Sequence, residues 1–212
     1  IITEATGYVG NFTTKVTSER GVTEIKHGAA VIATGADEYK PTEYLYGEDD
    51  RVLTQLELGE QIAKGEERLI NSRSLVMIQC VGCRQEDRDY CARICCSNAI
   101  KNALKLKEIN PRMDISILFR DIRTYGFSED YYREASNKDV KFMRYEPDDK
   151  PRVEAAEEQG RPVLKVMLPD YILGKKLAVD ADYLTLSAAV IPPKGNREIA
   201  KSFKVSLGPD DF

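Results

Sequence analysis

Cys80, Cys83, Cys91, Cys95 and Cys96 are the five cysteines of a 212-residue chain, and all of them fall within one short window. Cysteines used as small core residues would be scattered, and disulfides closing loops would be spread along the chain. Crowding at this density marks a site, and the chemistry such a group performs is soft-metal binding or thiol redox. Cys80 and Cys83 form one Cys-x-x-Cys knuckle, but Cys91-x-x-x-Cys95-Cys96 does not supply the second knuckle of a zinc ribbon. Adjacent cysteines point in different directions and crowd a single small ion, whereas an iron-sulfur cluster offers separate iron corners. The spacing therefore favours iron-sulfur over zinc.

The elements that position these thiols are legible on either side of them. Ser74 to Gln79 is a short, apolar, β-branched run that reads as a buried strand ending at Cys80. After Cys91 the period changes: Cys95, Ala99, Ala103 and Leu106 form one row, with Cys96, Ile100 and Leu104 beside it. This predicts an amphipathic helix whose first turns carry Cys95 and Cys96 facing inward, where free backbone N–H groups and the positive end of the helix dipole favour thiolates. Asn110-Pro111 ends the helix, and Asp114 to Phe119 reads as the next strand. Ser128 to Ser136 reads as a further helix and Val140 to Met143 as a third parallel strand. In a doubly wound sheet the first strand-to-helix loop carries a glycine-rich phosphate cradle; here cysteines and the single Gly82 take its place. The expected fold is α/β: a Rossmann-like central domain with a parallel sheet and a converted nucleotide loop, plus β-rich flanking segments.

Cys80-Val81-Gly82 followed by Arg84, then Tyr90-Cys91-x-x-x-Cys95-Cys96 at a helix start, then Asp121-Ile122-Arg123-Thr124-Tyr125-Gly126 resemble the A subunit of heterodisulfide reductase. That family is an iron-sulfur flavoprotein of thioredoxin-reductase-like architecture. Val31 to Ala36 with Pro41 resembles the Ala-Thr-Gly motif at which such proteins pass from the FAD domain to the inserted domain, and Asp182 to Val190 with Pro192 resembles the exit strand. The resemblance implies a 4Fe-4S cluster on Cys80, Cys91, Cys95 and Cys96. Cys83 stands where the family commonly has serine and shares the turn of Cys80, which makes it the substitute ligand. The resemblance also implies FAD in the intact protein, with Thr34 and Gly35 passing near the flavin. It implies electron transfer supporting reduction of a disulfide or ferredoxin, with B- and C-type subunits and a hydrogenase or similar donor as partners.

Composition bounds the rest. The length suits one domain or one and a fraction, and the expected segments are 1–40 (partial FAD-domain strands), 41–73 (linker and short helix), 74–190 (Rossmann-like domain with cysteine loop and β-meander) and 191–212 (a return segment). Thr54 with Glu57 predicts the cap of that short helix. Within 1–40, Ala29 to Ala33 reads as a buried strand. A net charge of -4 suggests no nucleic-acid surface, and no apolar run approaches the roughly 20 residues of a membrane span. Clustered cysteines, odd in number, suit a reducing cytoplasm; a homodimer is compatible with these features. The chain opens on Ile1-Ile2-Thr3 and contains no Gly-x-Gly-x-x-Gly, as expected of a fragment whose FAD cradle lies upstream. His27, the sole histidine, reads as a strand-end residue, and no residue is assigned a catalytic role. Two other functions remain open: a zinc-stabilised binding module without redox chemistry, and a fragment of an NAD(P)-dependent disulfide reductase using Cys80 and Cys83 as a redox pair.

Overall fold

The computed structural model describes residues 1–212, which divide into two units, 1–38 with 190–212 and 39–189. In chain order the elements begin with strands β1 (Ile2–Tyr8), β2 (Asn11–Ser18), β3 (Gly21–His27), β4 (Asp37–Glu38) and β5 (Val52–Thr54). Helices α1 (Gln55–Lys64) and α2 (Glu67–Ile70), strand β6 (Ser74–Val81), helix α3 (Cys95–Ile109), strand β7 (Asp114–Phe119), helix α4 (Ser128–Asn137) and strand β8 (Lys141–Arg144) come next. The chain closes with β9 (Arg152–Glu158), β10 (Arg161–Asp170), β11 (Lys175–Ala181), β12 (Tyr183–Ala188), β13 (Val190–Ile191) and α5 (Asn196–Phe203).

In the larger unit, β5, β12, β6, β7 and β8 form one parallel sheet in that order. Successive side chains of a strand point to opposite faces, and β6 shows what each face meets. Leu75 and Met77 share a core with Leu58 of α1, Ala99 and Ala103 of α3 and Ala135 of α4. Val76 and Ile78 share a second core with Leu164, Val166 and Leu168 of β10. Helices therefore cover one face and the antiparallel meander β9–β10–β11 covers the other. Burial on both sides explains why β6 reads as a continuous apolar run rather than an alternating one. The α/β fold with a parallel sheet is as the sequence predicts.

One part of the 41–73 stretch differs from the linker expected there. The short helix is present as α1, with Thr54 and Glu57 closing a reciprocal capping box: Glu57 N donates to Thr54 Oγ1 at 3.3 Å and Thr54 N to Glu57 Oε2 at 2.8 Å. Immediately before it, however, Val52–Thr54 are buried and pair with Leu184–Leu186 as an edge strand of the sheet. Three residues are too few to display a period, and their partner strand lies far along the chain.

The smaller unit holds the antiparallel sheet β1–β2–β3, the short pair β4–β13, and α5. Phe12 stacks on His27 at 5.4 Å and meets Phe203 edge-on at 6.0 Å. His27 is a packing residue, its Nε2 lying 2.8 Å from Thr14 Oγ1 and its Nδ1 2.9 Å from Ala29 O. Ala29 to Ala33 departs from expectation: the run is exposed and belongs to no strand. None of the strands of this chain pairs with it, and an apolar run without ladder partners and cover has nothing to hold it as a buried strand. No helix of the chain is long and apolar enough to cross a membrane.

Leu184 is fully buried between sheet and meander, while Ile172, at the β10–β11 turn, is 96% exposed. Leu184→Ala is expected to lower unfolding stability by about 2–5 kcal/mol, and Ile172→Ala to change it by no more than about 0.5 kcal/mol. Equilibrium urea denaturation of both variants checks the packing of the meander; equal midpoints would refute it.

Candidate functional site

Sequence order and spatial order diverge at β6. From β6 the chain builds outward through β7 to β8, then returns to lay β12 on the other side of β6. In an open parallel sheet the crevice at such a reversal, beyond the carboxyl ends of the strands, is where ligands bind. The cysteine loop leaves β6 at that point.

The exit from β6 is bent. Ile78 pairs with Leu186 and Val81 with Ala188, so three residues of β6 oppose two of β12, and the extra residue makes a bulge at Gln79-Cys80. Cys80 has a left-handed backbone, φ 62°, a conformation that costs a non-glycine residue roughly 1–2 kcal/mol. Gly82 follows with φ +73°, and a Cβ built on it would lie 2.3 Å from the Tyr39 ring. Its lack of a side chain is what lets that ring lie against the loop. Arg88 holds the arrangement from outside, its guanidinium 4.5 Å from the Tyr39 ring centroid and its Nε donating to Gly82 O at 2.6 Å. Arg84 N donates to Tyr90 O at 3.1 Å and closes the loop before Cys91.

Four of the thiols are buried (Cys80, Cys83, Cys95 and Cys96), Cys91 is half-buried, and all five are free. They associate in two pairs. The Cys83 thiol donates to the Cys80 sulfur, which holds Cys80 toward the thiolate against the opposing effect of burial; the charge of Arg84, whose Nη1 lies 3.8 Å from Cys80 Sγ, adds to this. The same bond, together with burial, pushes the Cys83 thiol up. Cys95 and Cys96 repeat the arrangement: the bond from Cys95 lowers Cys96 against burial, the backbone N–H of Arg123 assists, and Cys95 is raised. Cys91 Sγ accepts from Arg93 N at 3.3 Å. Ile94, the residue that caps α3, makes no side-chain cap, so the helix begins at Cys95 and Cys96 with first-turn N–H groups that no cap side chain takes up.

Arginines frame the site. Arg84 is ion-paired to Asp121, Arg123 reaches the same carboxylate at 3.4 Å, and Arg120 Nη1 donates to Arg84 O at 2.8 Å. The loop after β7 is thus tied to the loop after β6. Arg123 acts on Cys96 through both its backbone N–H and its charge, and Arg84 acts on Cys80. Arg84 and Asp121 both lie within sequence motifs that signal the family, but nothing in their spacing shows that they pair. Thr34 and Gly35 lie in the other unit, exposed; Thr34 Oγ1 donates to Asn196 Oδ1 at 2.9 Å and Gly35 has φ +69°.

No three His, Cys, Asp or Glu side chains converge so as to hold a single metal ion. The donor set itself is chemically suited to iron-sulfur: soft sulfurs, mostly buried, two of them shifted toward the thiolate, with a cationic side chain and backbone donors around them. A buried amide without hydrogen-bond partners, that of Gln79, lies at the bulge.

Fold and site together define a Rossmann-like α/β domain, its parallel sheet covered by helices on one face and a meander on the other, whose strand-to-helix loop carries thiols where a nucleotide-binding domain carries glycines. Solved structures agree on the fold. The thioredoxin reductase of T. acidophilum superimposes with a TM-score of 0.51 at 12% identity, over 99% of this chain and 58% of its own. The FAD-bound cadaverine monooxygenase of Erwinia amylovora gives 0.56 at 11%, over 95% and 54%. No family model matches the chain. Among curated relatives, the iron-sulfur A subunit of the CoB–CoM heterodisulfide reductase of Methanocaldococcus jannaschii is 35% identical over 207 residues, covering 89% of this chain and 30% of that protein. The A subunit of the ferredoxin:CoB–CoM heterodisulfide reductase of Methanosarcina acetivorans is 32% identical over 233 residues, covering 90% and 28%. Over this region the chain belongs to the family of heterodisulfide reductase A subunits, and it spans about 30% of the length of the curated relatives it matches.

Gly82→Ala is expected to destabilise the chain through both its left-handed backbone and the collision with Tyr39. Tyr39→Ala in the same chain relieves only the collision, leaving the backbone cost of about 1 kcal/mol. Denaturation midpoints of the two single variants and the double variant measure this coupling, and strictly additive effects would rule out the contact.

Proposed function

We propose that this chain is an electron-transfer segment of an iron-sulfur flavoprotein oxidoreductase of the heterodisulfide reductase A type, with Cys80, Cys91, Cys95 and Cys96 holding a 4Fe-4S cluster. The observation that carries the reading is the gathering of buried thiols at the carboxyl end of β6 where the sheet reverses order. A cluster separates its iron corners and so accommodates adjacent cysteines that a single ion does not. When bound, it supplies one-electron transfer. The chain's own part is to hold the sulfurs: the bulge aims Cys80, the first turn of α3 presents Cys95 and Cys96, and Arg84 offsets negative charge beside Cys80. Cys83, bonded to Cys80 on the same turn, is the reserve ligand.

FAD belongs to the same reading, as the cofactor of the whole protein. Thr34 and Gly35, exposed in the smaller unit, are its proposed neighbours in this chain, which has no Gly-x-Gly-x-x-Gly to cradle a pyrophosphate. Redox subunits of the B and C type and a hydrogenase-like donor are the proposed partners; the names of the relatives include ferredoxin, H2 and formate. Five free thiols support a reducing compartment, the cytoplasm.

A second reading is favoured by the proton-sharing Cys80–Cys83 pair, which is the arrangement a dithiol reductant needs. Anaerobic reconstitution with iron and sulfide separates the two. Wild type is expected to turn brown and retain about four irons per chain. Serine at Cys91, Cys95 or Cys96 is expected to abolish retention, serine at Cys80 to impair it, and Cys83→Ser to leave it near the wild-type level. Full retention by Cys96→Ser would sink the ligand set, and steady NADPH oxidation by the chain without added flavin or partner would replace it with the dithiol reading.

A further inference from the structure

Gln79 is fully buried at the end of β6, yet neither its Oε1 nor its Nε2 has a hydrogen-bond partner. Its backbone is satisfied, since Tyr145 Oη donates to Gln79 O at 2.6 Å. A desolvated amide with two empty valences is unfavourable, and native cores rarely keep one without a purpose.

Its surroundings follow from the alternation of β6. Leu75 and Met77 face the helices, so Gln79 faces them too. On that face Gln55, Ser187 and Asn102 bond to one another, while Thr185 Oγ1, like the Gln79 amide, has no partner. Gln55 Nε2 donates to Ser187 Oγ at 3.2 Å and lies 3.4 Å from Met77 Sδ, while Asn102 Nδ2 donates to Gln55 Oε1 at 2.8 Å. Asn102 therefore places the middle of α3 over Met77. Because α3 connects the parallel strands β6 and β7, it runs opposite to them. The step from Met77 to Gln79 along the strand accordingly leads back along α3 from Asn102 to Ala99 and Cys95, which share its row. By this topology the vacant amide lies toward the amino-terminal end of α3, the end that begins with Cys95 and Cys96.

We propose that Gln79 is a positioning residue of the thiol site, its side-chain N–H donating to sulfur beneath the first turn of α3 once the cysteines are metallated. This rests on the iron-sulfur reading above. Donation to sulfur favours the more negative, reduced state, so it raises the potential. In the metal-free chain the amide has no such acceptor and only weakens the core, so an apolar residue of similar size should be tolerated better there.

Gln79→Leu and Gln79→Met are compared with wild type in two measurements: the melting temperature of the metal-free chains, and the midpoint of a dithionite titration of the reconstituted chains followed by electron paramagnetic resonance. Both variants are expected to melt higher than wild type without metal. Both are expected to reduce at lower potential when loaded, by about tenfold in the one-electron equilibrium, about 59 mV. The opposed signs are what a merely structural glutamine does not give. Midpoints equal to wild type in both variants overturn the role of Gln79 while leaving the cluster in place; a wild-type chain that takes up no iron overturns both.

Discussion

A parallel strand in the middle of a sheet is paired along both edges and packed on both faces, so its end is where the constraint lifts. β6 is such a strand, held by β12 and β7 and covered by helices and meander. The loop beyond its carboxyl end enters the crevice of the switch point with its backbone groups still to be satisfied. The chain meets this demand with a bulge, a left-handed Cys80, and a tight loop closed through Arg84 N, Tyr90 O, Arg88 and Gly82 O. Cys80 and Cys83 are buried at this end of the strand, packed with Ala189 and Tyr39.

Burying thiolates is the second demand. An isolated buried anion is strongly disfavoured, and the chain distributes the problem across two pairs, in each of which one thiol donates to the other sulfur. The remaining compensation is cationic or dipolar: Arg84 on Cys80, the Arg123 N–H on Cys96, and the start of α3. Asp121 holds Arg84 in place, although its own negative charge works against Cys96. The ion pair is thus a compromise between orienting one cation and adding an anion near the second pair.

Much of this is legible in sequence because the relevant signals are local. The apolar run of β6, the period of α3 and the α4 helix each occupy contiguous residues, and the structure places them where the sequence indicates. The hidden features depend on distant partners. β5 is three residues long and is a strand only because Leu184–Leu186 pair with it. The run Ala29 to Ala33 has the composition of a buried strand, but composition does not supply a neighbour, and the segment is exposed. The five thiols are legible as a group, whereas their division into pairs, and the approach of Arg84 to Cys80, arise from the bulge and from the β7 loop folding back.

The apolar character of β6 fails at one residue, and that failure shows how the domain balances stability against its site. Leu75 through Ile78 are apolar and fully or almost fully buried, which anchors the strand to both cores. Gln79 interrupts the pattern at the position closest to the bulge, with buried polar groups of β12, Thr185 and Ser187, on the same face. A fold selected only for stability would extend the apolar run to the end of the strand, since the helix layer already supplies the cover. The polar residues are instead concentrated at the carboxyl end, on the face that carries α3, while the amino-terminal half remains apolar. The strand thus delivers the cysteines from its polar, bulged end, while its apolar half anchors it to both cores.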